Sequence, residues 1–207
     1  MHLLWCMMAA SLPFEACDGN VAKAANTSCR KYSESIRKAL FGDWIDSDHD
    51  CRNTRAEILA ARSQTAVTGT CTIKTGRWLD PYTGRTFDSA KALEIDHLIP
   101  VAEAYRSGAW KWTQAQRVAF YNDTSLLVIA SATANATKRD KDPSQWLPPD
   151  TTYSLEYIQR WARGKRTYGL TADAKERKFL AKYLPIDGTP GFSVGSRYVT
   201  RRPLAFS

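Results

Sequence analysis

Asp96 and His97 are adjacent in Glu94-Ile95-Asp96-His97-Leu98-Ile99-Pro100, and Asn135 and Lys138 follow together further along the chain. Their chemistry is complementary. A neutral imidazole takes a proton from water near neutral pH, so His97 can act as a base. A carboxylate and an amide oxygen are ligands for a hard divalent cation, so Asp96 and Asn135 can share one and leave its other positions to water and substrate oxygens. Mg²⁺ suits so open a site because it keeps several waters, with Mn²⁺ as the alternative. Only one ion is expected, since no second acidic cluster has matching spacing. An Asp-His pair is common, and each residue also has an ordinary use: a turn pair with a buried histidine, an asparagine on a solvated helix face, a lysine that merely solvates its helix.

Positioning sets a condition. Neighbouring side chains on a strand point to opposite faces, so Asp96 and His97 serve one site only at a strand end or an irregular turn. The surrounding pattern predicts a short strand over 92–95 ending at the pair, a helix over 112–121, an apolar strand over 126–130 and a helix capped by Ser131 and reaching about Arg139. Upstream, helices are expected over 33–41 and 56–62 and strands within 67–78, followed by the turn Asp80-Pro81-Tyr82-Thr83-Gly84. Two further helices are expected over 155–163 and 172–183. The fold class is α+β.

Charge and cysteines bear on partner and compartment. The chain of 207 residues has a net charge of +8 and a pI near 9.3, a balance compatible with a polyanion. Residues 151–207 hold 11 Lys+Arg against 4 Asp+Glu, so most of the excess lies behind the candidate site. Lys175, Lys178 and Lys182 would share one helix face there. The apolar run from Leu3 to Leu12 is too short to span a bilayer; it reads as the core of a secretory signal peptide or as a buried N-terminal segment. Export would remove Cys6 and leave Cys17, Cys29, Cys51 and Cys71, which allow three pairings. The sequential one, Cys17–Cys29 and Cys51–Cys71, closes short loops, and Cys51–Cys71 is expected in the exported protein. The division expected is 1–16 as signal peptide or apolar segment, 17–186 as one domain (core about 76–149, helical extension 150–186), and 187–207 as a basic, loosely ordered tail. The localisation expected is secreted or periplasmic, with no membrane partner after processing.

The ordered series Gly76-Arg77-Trp78, Asp80-Pro81-Tyr82-Thr83-Gly84, Ile95-Asp96-His97, Pro100, Ala102-Glu103-Ala104, Ser107-Gly108-Ala109, Asn135, Lys138, Asp142-Pro143, Trp146 and Pro148-Pro149 resembles the HNH, or ββα-metal, nucleases, in a branch of small and often exported proteins. Trp44, Cys51 and Asn53-Thr54-Arg55 also fit, so the resemblance spans about residues 44–149. It implies a ββα-metal core and an endonuclease that hydrolyses phosphodiester bonds of DNA, with RNA as a second substrate. His97 would be the base, and Asp96 and Asn135 the ligands of one divalent metal. Lys138 would bind phosphate or solvate its helix, and Arg77 would clamp the scissile phosphate or serve as an ordinary ion-pair partner. Glu103 would have a supporting role. One departure stands out: the middle Asn of many such proteins falls on Ser125 or Leu126, with Asn122 as a nearby substitute. A non-catalytic nucleic-acid-binding protein on the same fold is the alternative.

Two further patterns have their own readings. Asp46, Asp48, Asp50 and Glu57 mimic positions one, three, five and twelve of an EF-hand loop, but position six is Cys51 where the sharp turn needs Gly. A solvated acidic turn is expected. Trp110, Trp112 and Tyr105 could stack on bases of an opened strand, though such residues more often pack helices.

Overall fold

The computed structural model describes residues 32–184. The N-terminal apolar run, Cys6, Cys17, Cys29 and the tail from 187 lie outside the described residues. In chain order the elements are α1 (Glu34–Phe41), α2 (Thr54–Ala61), β1 (Thr75–Asp80), β2 (Arg85–Ser89), β3 (Leu93–His97), α3 (Val101–Arg106), α4 (Gln114–Tyr121), β4 (Leu127–Ser131), α5 (Ala132–Lys138), α6 (Ser154–Thr167) and α7 (Ala174–Leu180). The chain is thus mixed α and β, as the α+β expectation requires.

Two antiparallel strand pairs make the sheets. β1 pairs with β2 across the Asp80–Gly84 turn, where Gly84 has φ of 67°, a left-handed conformation that glycine adopts without steric cost. β3 pairs with β4 in the register Leu93↔Ser131, Ile95↔Ile129 and His97↔Leu127. Buried Asp80 joins the two strand pairs: its Oδ1 accepts from the Tyr82 amide at 2.8 Å, and its Oδ2 from the Thr83 hydroxyl at 2.8 Å and the Ser131 amide at 3.1 Å.

The apolar sequence of β4 has a physical reason, because every residue of it is buried. Leu127 and Ile129 join Leu93, Ile95, Trp78, Ile58 and Leu59 in one hydrophobic cluster. Val128 and Ala130, on the opposite face, join Tyr82, Leu98, Tyr157 and Trp161 in the other. A strand covered on both faces reads as a continuous apolar run rather than an alternating one.

Side-chain caps define most helix starts. Asn53 Oδ1 accepts from the Ala56 amide at 3.1 Å, Ser131 Oγ from Ala134 at 3.3 Å, and Asp173 Oδ1 from Lys175 at 2.7 Å. Thr113 and Gln116 form a capping box at α4, satisfying two orphan amides at once. The disulfide Cys51–Cys71 is present, with Cα atoms 5.0 Å apart.

Several expectations change. Strand structure within 67–78 begins only at Thr75, apart from one bridge at Thr68; the stretch before it is a loop tethered by the disulfide. α7 ends at Leu180, so Lys182 stands in the turn beyond, its Nζ 6.0 Å over the Phe179 ring, and does not continue the helical face of Lys175 and Lys178. Lys165, counted with the basic stretch, is buried: its ammonium lies 2.7 Å from Glu103 and 3.0 Å from Glu176. Tyr105 and Trp112 pack against Phe41 and against Phe120 and Tyr168, so both serve the core.

Candidate active site

His97 is the last residue of β3. Its Nε2–H donates to the Tyr121 carbonyl at 2.8 Å. A carbonyl only accepts, so the neutral ring carries its proton on Nε2 and its lone pair on Nδ1. Trp44 stacks on the ring with centroids 5.3 Å apart and planes 7° apart, and Tyr121 lies at 4.4 Å. Burial among these aromatics disfavours the imidazolium and pushes the His97 pKa down to about 3, against the pull of the Tyr121 carbonyl.

The wall behind His97 is braced by Asn122. Its amide nitrogen donates to the Asp43 and Val118 carbonyls at 3.1 and 3.0 Å, and its oxygen accepts from the Ile45 amide at 3.1 Å and the Thr54 hydroxyl at 2.6 Å. These bonds fix the chain at Tyr121 and the α1–α2 segment that carries Trp44. Among the three residues at the middle of the motif, Asn122 makes these side-chain bonds, while Leu126 is a core residue against Gly164 and the Ser125 carbonyl accepts from Arg160 at 2.6 Å.

Asp96 points to the other face of β3 and is buried. Lys138 reaches back from α5, its Nζ 2.8 Å from Asp96 Oδ2, 3.1 Å from Oδ1 and 2.8 Å from the His97 carbonyl. The Tyr82 hydroxyl donates to Asp96 Oδ2 at 2.6 Å. Burial raises the Asp96 pKa above the usual carboxylate range, while Lys138 and Tyr82 favour its ionised form. Lys138 is fully buried, so it neither solvates α5 nor meets a phosphate from solvent; it fixes Asp96.

The pair meets the positioning condition through the strand end. Although they face opposite ways, Asp96 and His97 both line a cavity of about 490 Å³, with Arg37, Arg106, Arg139 and Asp140 around it. Arg106 is tied to Asp140 at 2.9 Å and Glu103 at 3.1 Å. Arg37 donates to the Tyr121 hydroxyl and lies over its ring. Arg139, just past α5 with φ of 53°, makes no hydrogen bond through its side chain among the described residues. Asn135 is not among the lining residues; its amide nitrogen donates to Glu94 Oε2 at 2.7 Å. Arg77 is not among the lining residues; it is exposed and 3.8 Å from Asp88.

Glu94 and Asp96 stand two apart on one face of β3, and Asn135 is bonded to Glu94, so the side-chain oxygens on that side of the strand are those of carboxylates and an amide. An all-oxygen set fits a hard divalent cation. The charges of Glu94, Asp96 and Lys138 sum to a net negative, and among the described residues the Asn135 amide oxygen accepts no hydrogen bond. Glu94 escaped the sequence reading, although a period of two from Asp96 puts it on the same strand face. Arg37 and Tyr121 left no local signal, and Trp44 entered only through the resemblance, because only the fold brings these residues to His97.

No solved structure matches the chain. It is 35% identical over 147 residues to a protein of Arthroderma benhamiae named an uncharacterized secreted protein, covering 70% of this chain and 72% of that one. Residues 47–183 match the family model described as GmrSD restriction endonucleases, C-terminal domain. With two thirds of its length inside that model, and with the resemblance seen along residues 44–149, the chain belongs to this family of restriction endonuclease domains of the HNH nuclease type.

Proposed function

We propose that the protein is an exported, metal-dependent endonuclease that hydrolyses phosphodiester bonds of DNA. The observation that carries this reading is the hydrogen bond from His97 Nε2 to the Tyr121 carbonyl. It leaves an unprotonated Nδ1 on a ring that lines the same cavity as Asp96. In this reading His97 Nδ1 takes a proton from water, the hydroxide adds to phosphorus, the scissile P–O bond breaks, and the leaving oxygen takes a proton from solvent.

Asp96 and Asn135 would hold the divalent ion, Mg²⁺ or Mn²⁺, with Glu94 beside them. The bound ion supplies charge stabilisation at the leaving oxygen. Lys138 and Tyr82 orient Asp96. Arg139, on the cavity wall, suits the phosphate-clamping role first given to Arg77, because a guanidinium offers a fork of donors to phosphate oxygens. β3, β4 and α5 would then form a ββα-metal finger. The secreted relative supports an extracellular setting.

The test is incubation of purified protein with supercoiled plasmid, with Mg²⁺ and with EDTA. Nicking that EDTA abolishes is expected; undiminished cleavage in EDTA excludes the metal site. The Asp96–Lys138 pair favours one other reading, a DNA-binding protein without catalysis, since it satisfies the carboxylate without a metal. That reading predicts retention of plasmid on a gel without cleavage under any divalent ion.

A further inference from the structure

Between α1 and α2, Asp46, Asp48 and Asp50 each present an oxygen within 4.8 Å of the others. Three carboxylates at that spacing repel one another unless a cation lies among them. Among the described residues no ion pair reaches any of the three. The nearest arginines are turned elsewhere: Arg52 Nε donates to the Thr70 carbonyl at 2.8 Å, and Arg55 donates to the carbonyls of Ala90 and Leu93 at 3.2 and 3.0 Å.

A second observation reaches beyond the cluster, to Glu57. Among the described residues, three side-chain polar atoms are shut off from solvent with no hydrogen-bond partner: Asp46 Oδ1, Glu57 Oε1 and Tyr157 Oη. Two of the three are carboxylate oxygens at the first and last positions of the twelve-residue pattern. Folded proteins leave few buried polar atoms unsatisfied, and an unsatisfied carboxylate oxygen is among the costliest. A cation shared by Asp46 and Glu57 would satisfy both.

The objection raised by Cys51 at position six also falls. Cys51 has φ of 78°, the left-handed turn that glycine supplies in an EF-hand loop. It is held there by the disulfide to Cys71 and by its amide donating to Asp46 Oδ2 at 3.0 Å.

We propose that residues 46–57 form a calcium site ligated by Asp46, Asp48, Asp50 and Glu57, with the Arg52 carbonyl at position seven. Calcium is the fitting ion because it accepts six to eight hard oxygen ligands in flexible geometry, whereas Mg²⁺ demands an octahedron and keeps its waters. The site adjoins the wall of the catalytic cavity. Ile45 precedes Asp46 and is bonded to Asn122, and Trp44 stacks on His97. Calcium therefore stiffens the segment that holds the base. This site does not depend on the nuclease reading.

Tb³⁺ luminescence excited through tryptophan, with Trp44 two residues from the site, tests it on disulfide-intact protein stripped of metal. Wild type and Asn135→Ala should both show luminescence that Ca²⁺ competes away and Mg²⁺ at the same concentration does not. The double variant Asp46→Asn/Asp48→Asn should lose it. If circular dichroism shows that the double variant does not fold, Asp50→Asn alone should bind Ca²⁺ at least about tenfold more weakly. Wild-type Tm should rise by several degrees in about 10 mM Ca²⁺ relative to Mg²⁺. Wild type without Ca²⁺-competed luminescence overturns the proposal. So do folded aspartate variants that bind as wild type does, and luminescence that is lost in Asn135→Ala but kept in the double variant, which would move the ion to the catalytic cavity.

Discussion

The ammonium of Lys138 lies 2.8 Å from the carboxylate of Asp96, and both groups are buried, the lysine completely. Removing one partner strands the other charge away from water. Lys138→Met should therefore cost about 3–5 kcal/mol of stability, read as a lower urea midpoint. Asp96→Leu/Lys138→Met should lose less than Lys138→Met alone, because no charge is left unpaired. A double variant as unstable as the sum of the two singles would show that the pair's packing, and not its charge, is what matters.

His97→Ala should leave a folded, DNA-binding protein whose plasmid nicking is slower by ~10²–10⁴-fold, the usual loss on removing a general base. Cleavage at the wild-type rate by a folded variant would remove His97 from the mechanism.

The lowered pKa of His97 has two signatures. In activity, the ring stays neutral through the usual histidine range, so kcat/KM should show no acid limb near 6.5 and should fall only toward about 3. In stability, the unfolded chain protonates this histidine below 6.5 while the folded chain resists until about 3. The unfolded state therefore binds more protons across that window, and stability is lost as pH falls through it. Comparing wild type with His97→Phe isolates this contribution: the variant's stability should decline less between pH 6.5 and 3. Parallel curves would mean that His97 titrates normally.

Asn135→Ala should raise the Mg²⁺ or Mn²⁺ concentration needed for half-maximal nicking and change the rate at saturating metal far less. Glu94→Gln should shift the same curve in the same direction, since Glu94 accepts the Asn135 amide at 2.7 Å. A metal titration unchanged in both variants would place the ion elsewhere.

Cys51→Ser/Cys71→Ser opens a loop with a sequence separation of 20, and chain entropy sets the expected loss at about 3 kcal/mol. Thermal unfolding of oxidised wild type against the double variant measures it. A difference near zero would mean that the 52–70 loop is already restrained in the unfolded chain.

Local rules carried the sequence reading where they applied. Ser131 caps α5, the Asp80–Gly84 turn closes the first hairpin, and Asp96-His97 ends a strand, because each of these is decided within a few residues. The disulfide was legible from loop length. Lys138 was named from the sequence, but its burial was not legible, since a lysine's place inside the core depends on the Asp96 it meets across the fold. The aromatic enclosure of His97 comes from α1's end and α4, neither of which signals its target. The end of α7 was overestimated because the spacing of lysines says which face they would share, and not how long the helix persists.

The partner that fixes the His97 proton is a main-chain carbonyl, and this has a genetic consequence. No substitution of Tyr121 deletes that oxygen. A saturating mutational scan would score Tyr121 by its ring alone, and the group that sets the tautomer would leave no trace in the scan or in the tolerated sequences. Only a change in the path of the chain, such as a proline at Asn122 or a deletion in the 122–125 turn, would expose it.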